Sequence, residues 1–136
     1  MSLKNIVVQG CEFEIYENGL LNSSGHVTVT SVASTNTKVD GNGVYTTLMV
    51  TVAGFTSTDP ELQPWITGSG ATMTPAQILA SAQYTKVDSL PVVLEGDTAE
   101  NVTIQGQKQQ GQTTVTEYTT VTIKVKSAGQ TNTKAE

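Results

Sequence analysis

Hydrophobic alternation with a period of two constrains this chain more than any other feature, because only extended backbone sends successive side chains to opposite faces. Val27, Val29 and Ser31 alternate with His26, Thr28 and Thr30, and Leu48, Val50 and Val52 alternate with Thr47, Met49 and Thr51. Near the C-terminus Val115, Glu117, Thr119, Val121, Ile123 and Val125 alternate with Thr116, Tyr118, Thr120, Thr122 and Lys124. That run exceeds an ordinary strand, and its mixed face predicts that one end projects from the domain. Thr and Val, stiff at χ1, suit a pleated surface better than a helix. Shorter strands are expected over 5–8, 12–16, 85–87, 92–94 and 101–105. Asp40-Gly41-Asn42-Gly43 reads as a tight hairpin turn, and Asn18-Gly19 and Glu95-Gly96-Asp97 as further turns. One short helix is predicted near 75–82. Thr74-Pro75-Ala76-Gln77 has the form of a capping box with Pro at N1, and Ile78, Leu79 and Ala82 would share its inner face. The expected fold is therefore mainly β, a compact single domain over residues 1–126. Residues 127–136 lack apolar periodicity and read as a flexible tail.

Composition then removes whole classes of function. The formal net charge is −5 and there is no Arg, so clustered cations for a nucleic-acid backbone are missing. Nucleic acid is not an expected partner. Cys11 is the only cysteine; it forms no intrachain disulfide and reads as a small apolar residue. No stretch approaches the roughly 20 apolar residues of a membrane span, and the first ten residues hold too short an apolar run for a secretory signal. The sets needed for catalysis are incomplete. Thr67-Gly68-Ser69-Gly70 is half of a nucleophile elbow, and His26, the only histidine, sits in an alternating strand. Glu12 and Glu14 flank Phe13 as a solvated strand face would, and Glu95, Asp97 and Glu100 fall in a turn. Asp40-x-Asn42 opens like a calcium loop but lacks its later ligands. No cofactor or bound metal is expected, and the chain does not read as an enzyme.

A weak internal repeat organises the remainder. Thr37-Lys38-Val39-Asp40 recurs as Thr85-Lys86-Val87-Asp88, with Gly43 opposite Pro91 and Val44-Tyr45 opposite Val92-Val93. Val50-Thr51-Val52-Ala53-Gly54 matches Val102-Thr103-Ile104-Gln105-Gly106, and Asn5-Ile6-Val7-Val8-Gln9-Gly10 echoes the segment from Asn101 to Gly106. The unit is a short strand, a turn, another short strand and a longer strand closed by Gly.

Thr85, Lys86, Val87 and Asp88, then Pro91-Val92, then Gly96-Asp97 carry a pattern that resembles the PAAR and PAAR-like proteins, over roughly residues 25–106. The resemblance implies a cone of short β-elements that sharpens the spike of phage tails, type VI secretion systems and related contractile injection machines. It implies assembly in the cytoplasm onto a spike protein or other tail subunits, then passage outward with the particle and brief contact with a target membrane. Sharpened members hold an apical metal with several His and a Cys. His26 and Cys11 cannot fill a four-ligand site in one chain, leaving only a metal shared between copies through His26. The Pro-Ala-Ala-Arg tetrapeptide is replaced by Pro91-Val92-Val93, without Arg.

A capping protein of this kind would meet the end of a β-prism or trimeric spike, with Val7, Val50 and Trp65 as candidate contacts, Val7 and Val50 lying either at that interface or in the core. Two other classes fit the same strands. One is a β-sandwich binding or adhesin module, for which Trp65 in its Pro-flanked loop is the best sugar platform, although a Trp there more readily caps an edge of the core. The other is a different structural subunit of such a particle, joined through the long C-terminal strand.

Overall fold

The alternating runs pair antiparallel throughout the computed structural model, which describes residues 3–136. The first half holds β1 (Lys4–Asn5), β2 (Glu12–Glu17), β3 (Leu20–Leu21), β4 (His26–Val29), β5 (Lys38–Val39), β6 (Asn42–Gly43) and β7 (Leu48–Phe55). The second half holds β8 (Gly70–Thr72), β9 (Ala76–Ile78), β10 (Lys86–Val87), β11 (Leu90–Pro91), β12 (Thr98–Gln110), β13 (Thr113–Ser127) and β14 (Lys134–Ala135). Eight strands make one curled sheet in the order β3-β2-β13-β12-β8-β7-β4, with β9 beside β8 on the flank of β7. Three two-stranded hairpins, β5–β6, β10–β11 and β14–β1, stand outside it.

Those hairpins are equivalent. β5 and β6 join through Asp40 and Gly41 at φ 53° and 82°, and β10 and β11 through Asp88 and Ser89 at φ 52° and 68°. Two successive left-handed residues define the type I′ turn, whose twist matches that of the strands it joins. The third hairpin comes from the two ends of the chain, with Asn5 opposite Lys134 and Lys4 opposite Ala135. Thr131-Asn132-Thr133-Lys134-Ala135-Glu136 is thus a third copy of Thr35-Asn36-Thr37-Lys38-Val39-Asp40, and Thr37, Thr85 and Thr133 stand at equal intervals. Their carbonyls accept from Val44 N at 3.1 Å, Val92 N at 3.2 Å and Ile6 N at 3.1 Å, one bond per copy.

The segment following each hairpin meets the other two at a pseudo-threefold axis. Val7 N donates to Val93 O at 2.9 Å, Val93 N to Tyr45 O at 3.0 Å, and Tyr45 N to Val7 O at 3.1 Å, which closes a ring. Because these segments are extended, alternate side chains leave on opposite sides of the ring. Val7, Tyr45 and Val93 point into the main core with Ile15, Leu48, Val50, Val52, Phe55, Ile78, Ile104, Ile123 and Val125. Ile6, Val8, Val44, Val92 and Leu94 point the other way, into a smaller core closed by Ala82, Ala135, Val39 and Val87 of the hairpin layer. Each unit then sends a strand into the sheet: β2, β7 or β12. The matched segments at Val50 and Val102 lie in two of these strands. The echo of residues 5–10 at 101–106 does not correspond in space, since Asn5-Ile6-Val7 occupies the place of Gly43-Val44-Tyr45.

Three expectations change. No helix forms near 75–82; Ala76, Gln77 and Ile78 are β9, paired with Val50, Met49 and Leu48. Ile78 and Ala82 are buried while Leu79 is 66% exposed, so the period there is two, and pairing with β7 satisfies backbone groups that a two-turn helix would leave at its ends. Residues 127–136 are packed. Ala128 and Ala135 are buried, Gln130 Nε2 donates to Ile6 O at 2.8 Å, and Gln83 N donates to Glu136 O at 3.0 Å. The curled sheet also departs from a two-layer sandwich. β2 and β4 form no pairing among the described residues, and the curl is drawn together by Asn22, whose N donates to Ile15 O and whose side chain donates to Thr56 O, both at 2.8 Å.

Deleting residues 131–136 removes one cap hairpin strand and several backbone bonds. At about 1 kcal/mol net per bond, stability should fall by about 2–4 kcal/mol in urea denaturation. An unchanged midpoint would mean that these residues are a free tail.

Candidate functional site

The described surface offers two distinct ends. One is the layer of three hairpins around the axis, and the other is the far end of β12 and β13.

At the hairpin layer, neighbouring units are tied in the same sense. Asn132 Nδ2 of the third unit donates to Asp40 Oδ2 of the first at 2.9 Å, and Gln83 N of the second reaches Glu136 O of the third. Lys38, Lys86 and Lys134 occupy equivalent exposed positions, opposite Gly43, Pro91 and Asn5 across their hairpins. Leu3 (58% exposed), Leu90 (48%) and Tyr84 (70%) add apolar surface to the same layer. Lys38 belongs to the repeat read from the sequence, whereas Lys134 was not singled out, although the recurring Thr-Asn-Thr-Lys would have found it.

The motif residues Thr85, Lys86, Val87, Asp88, Pro91, Val92, Gly96 and Asp97 build the second unit of this layer. Lys86 and Val87 form β10, Asp88 starts its turn, Pro91 lies in β11, and Val92 is fully buried. Gly96 N donates to Val125 O at 3.0 Å. Asp97 is buried and accepts from Leu94 N at 2.8 Å, Ser81 N at 3.0 Å and Ser81 Oγ, so it locks the start of β12 to the connection between β9 and β10. Val7, Val50 and Trp65, the candidate partner contacts, are instead core residues at 0%, 0% and 6% exposure. Trp65 lies against Gly106, where a Cβ would stand 2.0 Å from its Cζ2, and its Nε1 donates to Phe55 O at 3.1 Å. Only glycine lets β12 pass so close to the indole.

At the far end, β12 and β13 run past the body as a hairpin. The outer edge of β12 is covered, with Ile66 N bonded to Gln107 O and Gln109 N to Pro64 O, both at 2.9 Å. β13 pairs with β2 only from Val121 onward, so residues 113–120 keep a bare edge among the described residues. Glu17 anchors the base of this end. Its carboxylate, 1% exposed, accepts from Thr119 Oγ1 at 2.5 Å, Ser57 Oγ at 2.6 Å, Thr58 N at 2.9 Å and Thr58 Oγ1 at 3.2 Å. Burial alone would raise its pKa, but these donors outweigh burial and hold the carboxyl below its usual range.

The groups considered for chemistry stay apart or are engaged in structure. Burial pushes the Cys11 thiol up to about 11, against a smaller lowering by a backbone hydrogen bond, so it carries little thiolate at neutral pH. Ser69 Oγ accepts from Gln107 N, Glu95 Oε1 accepts from Ala128 N, and Glu14 Oε1 accepts from Tyr16 Oη. His26 is exposed on β4, opposite Ala53. Among the described residues no three His, Cys, Asp or Glu side chains gather where they could hold a metal ion. Among the described residues no helix is long and apolar enough to cross a membrane. Comparison with protein-family models, curated proteins and solved structures gives no match.

Two predictions concern these groups. Glu17→Gln turns an NH2 group toward donors and should cost about 2 kcal/mol at pH 7. Because the folded carboxyl titrates below its unfolded value, its contribution is complete at neutral pH and is lost as pH falls through the folded value. The gap in urea midpoint between wild type and variant should therefore narrow in acid; a constant gap would contradict the anchor. Val50→Asp buries an unpaired charge and should unfold the isolated domain, costing about 3 kcal/mol or more by circular dichroism. A folded variant would place Val50 at a surface after all.

Proposed function

We propose that this chain is a structural tip or spike-capping component of a contractile injection machine, acting by assembly and without catalysis. The ring joining Val7, Tyr45 and Val93 carries the reading. One chain that repeats itself three times about an axis can meet three identical subunits at once, giving each of them an equivalent contact. A single-copy cap for a homotrimeric spike has to solve that problem. The resemblance around Thr85, Asp88, Pro91 and Asp97 points to the same machines, and these residues build one of the three repeated hairpins.

Rigidity supports the role as well. A piercing element must not open under load, and here the apolar segments are buried on both sides of the ring. The sugar-binding alternative loses its best platform, because Trp65 is covered. A different particle subunit is the second reading, favoured by the bare β13 edge, since exposed strand edges accept a neighbour's strand.

Deleting the gene should leave particles that assemble but penetrate poorly, while any enzymatic cargo they carry keeps its activity. Fully penetrating particles that never contain this protein would end the capping reading.

A further inference from the structure

We infer that the hairpin layer is the surface that seats on the threefold partner, with Lys38, Lys86 and Lys134 each facing an acidic side chain of a different partner chain. This rests on the capping reading and adds to it an end and a chemistry.

Symmetry chooses the end. At the hairpin layer the three units match in strand pairing, in the carbonyl of Thr37, Thr85 or Thr133, and in lysine position, and the first two share a two-residue turn that the third, made from the chain ends, lacks. Away from it they diverge. The strands leaving the ring, β2, β7 and β12, have 6, 8 and 13 residues, and their connections are the β3 turn, the long loop with its 3-10 turn, and a tight hairpin. A homotrimer offers three identical sites, so only the end that repeats can answer all of them. The projecting β12–β13 hairpin then points away from the partner.

Charge supplies the chemistry. Three of the chain's seven lysines recur at this one position, and there is no Arg, on a chain of net charge −5. Lys86 and its two equivalents are exposed on short, twisted hairpins that project outward from the small core. They are thus the repeated cations within reach of a partner. The acidic positions two residues on, Asp40, Asp88 and Glu136, repeat as well. Asp40 is already engaged by Asn132, and Glu136 by Gln83 through its carbonyl. A carboxyl oxygen of Glu136 is buried, so the charge repeated at the surface of this layer is that of the three lysines.

The test uses the full chain and the purified trimeric spike protein of the particle that carries it, with affinity and stoichiometry measured at low and high salt. Wild type should bind at one chain per trimer and weaken as salt rises. Lys38→Glu, Lys86→Glu and Lys134→Glu should each reduce affinity by a similar factor, about tenfold, and the triple variant should abolish binding. All sit on exposed positions, so the variants should fold, which circular dichroism checks. Glu117→Lys on the projecting hairpin should bind like wild type. If the lysine variants bind normally while Glu117→Lys does not, the surface is wrong and the capping reading stands. Unequal losses among the three lysines would also overturn the inference, since they would mark a one-sided patch. If wild type forms no such complex, both the inference and the capping reading fall.

Discussion

Three backbone hydrogen bonds, from Val7 to Val93, Val93 to Tyr45 and Tyr45 to Val7, hold the domain at its centre. These segments send side chains into apolar cores on both sides, so little water reaches their amides. A bond of this kind adds only about 1 kcal/mol net when made, yet leaving a buried donor unpaired costs about 1–3 kcal/mol. The ring therefore forms as a unit or not at all. Once formed, it fixes where each hairpin leaves on one side and where β2, β7 and β12 start on the other. The long strands can then curl around the main core without closing edge to edge, because the ring already gathers their origins.

The same arrangement separates two jobs within one small chain. Near the axis the three units stay alike, down to the Thr carbonyl and the Lys that follows it. Away from the axis each unit is free to differ, and the second and third have been drawn out into the β12–β13 hairpin. Gly106 and Trp65 brace that hairpin, while Glu17 fastens the loop carrying Trp65 to β13. A capping role, as proposed, would use the repeated end for assembly and leave the divergent end exposed.

Much of this was legible in the sequence, for identifiable reasons. Strand alternation at Val27, Leu48 and Val115 survives because one face of each run meets the core. The two copies of Thr-Lys-Val-Asp were visible because a type I′ turn tolerates few residues. The third copy, Thr131-Asn132-Thr133-Lys134, repeats Thr35-Asn36-Thr37-Lys38 residue for residue but stands at the chain end, far in sequence from the strand it pairs with. A helix was expected at Pro75 because the capping pattern is local, whereas the pairing of Ile78 with Leu48 is not. Trp65 in its Pro-flanked loop read as a cap on the core edge or as a binding platform, and it is the former. What buries it is a missing Cβ at Gly106, some forty positions away, which no local pattern records.

Native-state amide hydrogen exchange, read residue by residue, tests the central claim most directly. If the ring is the element on which the fold depends, the amides of Val7, Tyr45 and Val93 should exchange together. They should do so only through global unfolding, with the same free energy as denaturant melting. Fast exchange at any one of the three, or three different opening energies, would show that the units are held independently and that the ring is not what joins them.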